Sequence, residues 1–189
     1  KKFIIAQGMH NLENLMGAVL AVKLFDPALH IVESDIQKLT TPLMRQEVVY
    51  QKKNLRIIND SCATSPDGTI VAIKRFIGEQ QLVIILGGTN KDLKYNELAK
   101  LILKNFKQED VVLLEGSATQ QLVGELGKFS PRVCQTLSEC VDYAVACASH
   151  KKGKTTILFS PGAASFEKFL HEFDRGAQFN KLIKKSLTS

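Results

Sequence analysis

Leu82-Val83-Ile84-Ile85-Leu86-Gly87-Gly88-Thr89-Asn90-Lys91 is the stretch on which the fold turns. Its five apolar residues are too few for an ordinary helix, and they run without polar alternation straight into two glycines. That pattern fits a strand covered on both faces, ending where backbone must pass close to another group. Working outward, apolar runs recur at 111–114, entering Gly116, and at 155–159, with a shorter one at 132–135. Helical spacing separates them at 64–76, 95–106, 118–126 and 137–148. Strand and helix in turn predict an α/β fold: a Rossmann-like, mostly parallel sheet with helices on both faces. Residues 47–52 and 55–58, around Lys53-Asn54, predict a hairpin before it. The stretch 164–187 predicts a helix or two, with a break at Gly176.

Toward the amino end the pattern is different. Leu12, Leu15, Val19 and Val22 stand at helical spacing within 11–25, and Pro27 follows. Residues 34–39 suit one or two further turns. Thr40-Thr41-Pro42 is then a break, which divides the chain into 1–41 and 42–189. The first part is too short to be a domain and is expected to be the tail of a larger one. The chain opens on Lys1 rather than Met, which suggests a piece of a longer protein.

Composition narrows the function. With 189 residues, 44% hydrophobic and 23% charged, the chain is neither disordered nor collagenous. The net charge of +6 is spread along it, apart from small clusters at Lys151-Lys152-Lys154 and Lys181-Lys184-Lys185. Trp is absent and aromatic residues are 7%, so a solvated basic surface fits better than a nucleic-acid interface. A modest positive field suits acidic small substrates. The apolar runs are too short to span a bilayer, and the opening does not read as a secretory signal. Cys62, Cys134, Cys140 and Cys147 include no pair two residues apart, which excludes a zinc ribbon or thioredoxin-type pair and favours a reduced, cytoplasmic protein. Cys140 and Cys147 share a helix face and read as core. His10, His30, His150 and His171 are isolated, so no metal site is expected among them.

In an open α/β sheet, ligands collect at the carboxyl ends of strands. Three such ends here carry polar groups. At Ile58-Asn59-Asp60-Ser61-Cys62-Ala63-Thr64, either Ser61 or Thr64 caps a helix with Asp60 at its positive end, or Asp60 accepts from a ribose hydroxyl and Thr64 donates to a ligand carboxylate. At Gly87-Gly88-Thr89-Asn90-Lys91, Lys91 either meets an anion or is a solvated turn lysine. At Ser160-Pro161-Gly162-Ala163-Ala164-Ser165-Phe166, small residues are expected to open a helix, either one whose free N–H groups hold an anion with Ser165 adding a hydroxyl, or a plain strand–turn–helix with a serine near the cap. No Gly-x-x-x-x-Gly-Lys-Ser/Thr loop and no Gly-x-Ser-x-Gly elbow is present. Away from the sheet, Asn11 and Asn14 share a helix face beside His10. They suit either an adenine edge or, for Asn11, a helix cap.

Read in order, His10-Asn11-x-x-Asn14, Arg45-x-Glu47, residues 58–64, Gly87-Gly88-x-x-Lys91 and Ser160 through Phe173-Asp174-Arg175-Gly176 resemble the Mur ligases, in particular their D-glutamate-adding members. The likeness covers nearly the whole chain. It implies the end of a central ATP-binding domain (1–41) followed by the C-terminal Rossmann-like domain (42–189). The remaining N-terminal and central domains would lie outside the chain. It also implies ATP-dependent amide formation through an acyl phosphate, joining D-glutamate to UDP-N-acetylmuramoyl-L-alanine in peptidoglycan precursor synthesis. Thr64, Lys91, Ser165, Phe166 and Phe173 would then hold D-glutamate, and Asn11, Asn14, Arg45 and Asp60 would face ATP. The Mg2+ ligands would lie mainly outside the chain, no catalytic residue is assigned within it, and the chain alone is expected to be inactive. Cys62 stands where the family commonly has lysine, and Met44 where it commonly has histidine. The other readings are a different Mur or folylpolyglutamate-type ligase domain and a non-catalytic nucleotide-binding module. A cytoplasmic monomer with no nucleic-acid or membrane partner is expected.

Overall fold

Strand side chains alternate between two faces, and in this chain both faces are apolar, so the sheet is buried on each side. The computed structural model describes residues 9–39, 42–78 and 81–188. They divide into two compact units, Lys1–Pro42 and Leu43–Ser189.

The first unit holds α1 (Met9–Phe25) and α2 (Glu33–Gln37). Asn11 lies inside α1, two residues past its first, so it is not the cap. Leu20, Leu24 and Phe25 of α1 are exposed.

The second unit begins with the hairpin β1 (Glu47–Lys52) and β2 (Leu55–Asn59). The chain continues through α3 (Pro66–Phe76), β3 (Gln81–Gly87), α4 (Asn96–Asn105), β4 (Val111–Leu114), α5 (Ser117–Leu126), β5 (Arg132–Cys134), α6 (Leu137–Ser149), β6 (Thr155–Phe159) and α7 (Glu172–Thr188). The sheet order is β1-β2-β6-β3-β4-β5. All pairings are parallel except β1 with β2 at the edge.

The period of two is visible in the core. Ile58, Ile84, Leu86, Leu113 and Leu158 face α3, α4 and α5, where Ile73, Leu98 and Leu122 meet them. Their neighbours Ile57, Val83, Ile85, Val112, Ile157 and Phe159 face α6 and α7, against Cys140, Val141 and Phe179. Phe159 and Phe179 stack with ring centroids 4.4 Å apart. Cys140 is in this core, and Cys147 packs half-buried against it.

Three expectations are corrected. The cap of α3 is neither Ser61 nor Thr64 but Ser65, whose side chain accepts from the Gly68 N–H, with Pro66 supplying the first helical position. Residues 160–165 open no helix; α7 begins only at Glu172. The reason is that the Gly162 and Ala164 N–H groups are already spent on Ala63 and Thr89, in other loops. Finally, α7 runs through Gly176 without a break. Glycine is needed there for packing, because a Cβ would collide with the Met44 side chain.

Candidate functional site

Parallel strands end on one edge, so the loops after β2, β6, β3 and β4 are neighbours. Backbone hydrogen bonds join them. The Ser160 N–H donates to Ile85 (3.1 Å), Gly87 N–H to Pro161 (2.9 Å), and Gly162 N–H to Ala63 (2.9 Å). Thr89 and Ala164 form an antiparallel bridge, with N–H to carbonyl distances of 2.9 and 3.0 Å. Gly88, at φ +138°, lets this bridge close, since a Cβ there would press on the Ala164 carbonyl. Thr64 follows Ala63, Ser165 follows Ala164, and Lys91 lies two residues past Thr89. The three loops carrying these side chains are therefore stitched together.

Within that rim, Thr64 is half-buried and Lys91 exposed. The Ser165 hydroxyl is buried and has no hydrogen-bond partner. Phe166, in the following turn, is 66% exposed, and Phe173, on the first turn of α7, is 50% exposed. The Phe173 ring meets His171 edge-on at 5.9 Å. Glu167 was not among the sequence candidates. Its carboxylate accepts from the Ser117 N–H (3.1 Å) and hydroxyl, which fills the positive end of α5 with a protein group.

Arg175 was also missed as a site residue. It is fully buried. Its Nε donates to Ser61 Oγ (3.0 Å) and its Nη2 to the Ser61 carbonyl (2.7 Å). Its Nη1 donates to the carbonyls of Ala163 and Ala164, both at 3.0 Å. Burial pulls its pKa down to about 10, which still leaves it charged at neutral pH. A signal was available: 175, 179 and 183 fall on one helix face, and the other two are Phe179 and Ile183. An arginine in the middle of an apolar stripe is anomalous.

On the other side of β2, Asp60 is buried with both carboxylate oxygens engaged. Oδ2 accepts from Ser160 Oγ (2.7 Å) and Oδ1 from the Gln46 N–H (3.1 Å). Burial pushes its pKa up to about 6, against the lowering effects of those two bonds and of Arg45 and Arg75. The 43–47 turn is held from several directions. The Met44 N–H donates to Glu47 (2.9 Å), its carbonyl accepts from the Cys62 N–H (3.0 Å), and Arg75 donates to the Gln46 side chain. Met44 (φ +56°) and Gln46 (φ +50°) are left-handed there, at a cost of roughly 1 kcal/mol or more each. These bonds fix the turn that carries Arg45. The two positions departing from the family pattern, Met44 and Cys62, are thus hydrogen-bonded to each other. Burial raises the Cys62 thiol pKa, so it is no thiolate nucleophile.

Asn14 is exposed on α1, in the other unit, and the Asn11 side chain lies outside the described residues. Among the described residues no three His, Cys, Asp or Glu side chains cluster as a metal site. Among the described residues no helix is long and apolar enough to cross a membrane. A separate cleft of about 830 Å³ opens between α6 and α7, lined by Lys168, Lys181 and Lys185 over Leu137, Phe169 and Leu182.

No protein-family model matches the chain. Over 181 residues it is 34% identical to the UDP-N-acetylmuramoylalanine–D-glutamate ligase of Roseiflexus sp. (strain RS-1), covering 94% of this chain and 38% of that protein. The enzyme of the same name from Elusimicrobium minutum is 33% identical over 181 residues, 95% of this chain and 38% of its own length. That from Treponema pallidum is 36% identical over 140 residues, covering 74% and 25%. The chain thus spans under two-fifths of these relatives. Among solved structures, MurF ligase from Thermotoga maritima in complex with ADP superposes with a TM-score of 0.63 at 15% identity, over 94% of this chain and 38% of that one. MurF from Acinetobacter baumannii gives 0.63 at 16%, over 96% and 38%. At such identity these two likenesses speak for the fold.

Proposed function

Since the chain belongs to the Mur ligase family, we propose that it is the carboxy-terminal part of a cytoplasmic ligase that adds D-glutamate to UDP-N-acetylmuramoyl-L-alanine. Residues 42–189 form the closing Rossmann-like domain, and 1–41 are the end of the ATP-binding domain. The exposed apolar residues of α1 support that second assignment, as a helix from a larger body leaves such surface behind. The rest of the same protein, D-glutamate and the UDP-linked substrate are its partners, and the assembled enzyme works as a monomer.

In the proposed reaction, the carboxylate of the UDP-linked substrate attacks the γ-phosphorus of ATP. The bond to ADP breaks and an acyl phosphate forms. The D-glutamate nitrogen, as a neutral amine, then adds to the acyl carbon, and the tetrahedral intermediate loses a proton from nitrogen and expels phosphate to leave an amide. ATP would bring Mg2+, which would neutralise phosphate charge, with the metal's ligands mainly in parts of the protein outside this chain. This chain's own task is to bind and aim the amino acid. D-Glutamate carries two carboxylates and presents one amine, so fixing both carboxylates leaves the nitrogen a single direction. Lys91 supplies a cation, Thr64 and Ser165 supply hydroxyls, and Phe166 and Phe173 border the place. Arg45 and Asp60 serve the nucleotide side, Asp60 through the turn that it holds, and Asn11 and Asn14 the adenine.

The observation that carries this reading is the Ser165 hydroxyl, buried without a partner in loops stitched to those of Thr64 and Lys91. An unpaired buried hydroxyl is costly, and a ligand carboxylate would satisfy it. The test is Lys91→Ala in the full-length protein, following ADP release. A charge-assisted hydrogen bond is worth about 1.5–3 kcal/mol, so the KM for D-glutamate should rise roughly 10- to 100-fold with the KM for ATP little altered. Unchanged D-glutamate kinetics would refute the role given to Lys91.

A further inference from the structure

We propose that Arg175 is the positioning residue of the D-glutamate rim: one guanidinium sets the spacing of all three loops, and its charge meets its close counter-charge in the bound dianion rather than in a contacting carboxylate of the protein. The proposal rests on the D-glutamate reading and adds to it a residue that makes no assigned contact with substrate.

The geometry is specific. Arg175 projects from α7 and reaches two of the loops directly, bonding the carbonyl and hydroxyl of Ser61 after β2 and the carbonyls of Ala163 and Ala164 after β6. The Ala164 carbonyl also accepts from the Thr89 N–H (2.9 Å), which brings in the third loop. A Cβ on Gly88 would lie 3.3 Å from Arg175 Nη1, so that loop packs onto the guanidinium as well. Thr64, Lys91 and Ser165 sit one to three residues from these contacts. A planar fork of five donors can serve three carbonyls and a hydroxyl in fixed directions, which an ammonium cannot do.

Charge is the second part of the argument. All four bonds of Arg175 go to neutral acceptors. Among the described residues no carboxylate stands within ion-pair distance of it, and Glu172 acts on it only at longer range. Buried cations are normally paired, and an unpaired one is costly. In the free protein, then, a full positive charge is held beneath the rim by hydrogen bonds to dipoles and by the longer-range field of Glu172, without a contacting counter-ion. A ligand with two negative charges entering that rim supplies the missing counter-charge. The same device favours a dianionic amino acid over a monoanionic one, because the second carboxylate gains from a charge already in place.

The experiment is steady-state kinetics of the full-length ligase with Arg175→Met and Arg175→Lys, with each KM measured separately and folding checked by thermal melting. The expected result is a D-glutamate KM raised at least 30-fold in R175M and by less in R175K, which keeps the charge and loses the fork. The KM values for ATP and for the UDP-linked substrate should stay within about threefold. A D-glutamate KM within threefold of wild type in R175M overturns the proposal. So does a parallel rise in all three KM values, which would mark a role in general stability. If R175M does not fold, Ser61→Ala carries the test. It removes the Nε acceptor, together with the hydroxyl's own bond to the Glu172 carbonyl (2.7 Å), and should raise the D-glutamate KM about fivefold; no change overturns the proposal. If the wild-type enzyme itself shows no D-glutamate-dependent ADP release, it is the functional reading that fails.

Discussion

Asp60 ties the loop after β6 and the 43–47 turn to the end of β2 through one carboxylate. Its place after an apolar strand suggested a ligand contact, yet both of its oxygens are turned inward, to Ser160 and the Gln46 N–H. The carboxyl keeps its proton up to about pH 6 in the folded chain, against 3.8 ordinarily, because burial disfavours the charge. Between those values the folded state binds more protons than the unfolded one. The group's contribution to stability is therefore complete below pH 3.8 and is lost as pH climbs through 6. Asp60→Asn should remove that slope, changing the pH 4-to-6 difference in unfolding free energy by on the order of 2 kcal/mol in urea titrations. An identical slope in the variant would mean that another group titrates there. Cys62, at a position where lysine is common in the family, is buried beside Leu43 and Met44, and burial raises its thiol pKa.

At the scale of elements, caps and stripes decide where each helix lies. Helix α6 begins at a reciprocal cap, with Thr136 accepting from the Glu139 N–H (3.2 Å) while Glu139 accepts from the Gln135 N–H (3.0 Å). Its Leu137, Cys140, Val141, Ala144 and Ala148 then follow one face into the core. Thr136→Ala should cost about 1 kcal/mol of stability in denaturant melts, with no effect on ligand affinity. A loss near zero would mean that water replaces the hydroxyl fully. In α7 the buried stripe carries Arg175 among Phe179 and Ile183, so the helix that closes one core layer also reaches up into the rim. Stability and site geometry are coupled through that single helix.

For the whole molecule, the two core layers and the side chains packed against them lie between residues 49 and 187. The unit Leu43–Ser189 contains every strand of the sheet. A chain starting at Leu43 should therefore unfold cooperatively with a denaturant midpoint close to that of the 189-residue protein, since no strand or core residue is removed. A large fall in midpoint would show that residues 1–42 support the sheet. Catalysis is a different matter. The chain spans 38% of the ligase from Roseiflexus sp., and phosphoryl transfer in the proposed enzyme draws on groups beyond it.

Local sequence carried most of the architecture. The periods of 2 and 3.6, the glycines after Leu86 and the Lys53-Asn54 turn are short-range signals, and the strands appear within a residue or two of where those signals put them. The ordered motifs likewise pointed to the family. Other features have no short-range signal. Residues 160–165 look like a helix start in isolation, and become a stitched loop because Ala63 and Thr89 take their backbone donors. The Arg175 clasp joins residues 61, 163, 164 and 175, separated by up to 114 positions, and the Asp60–Ser160 bond spans 100. Hydrogen bonds between loops depend on which strands lie side by side, and strand order is settled by packing two apolar faces at once. A pattern read along the chain contains the faces but not the neighbours.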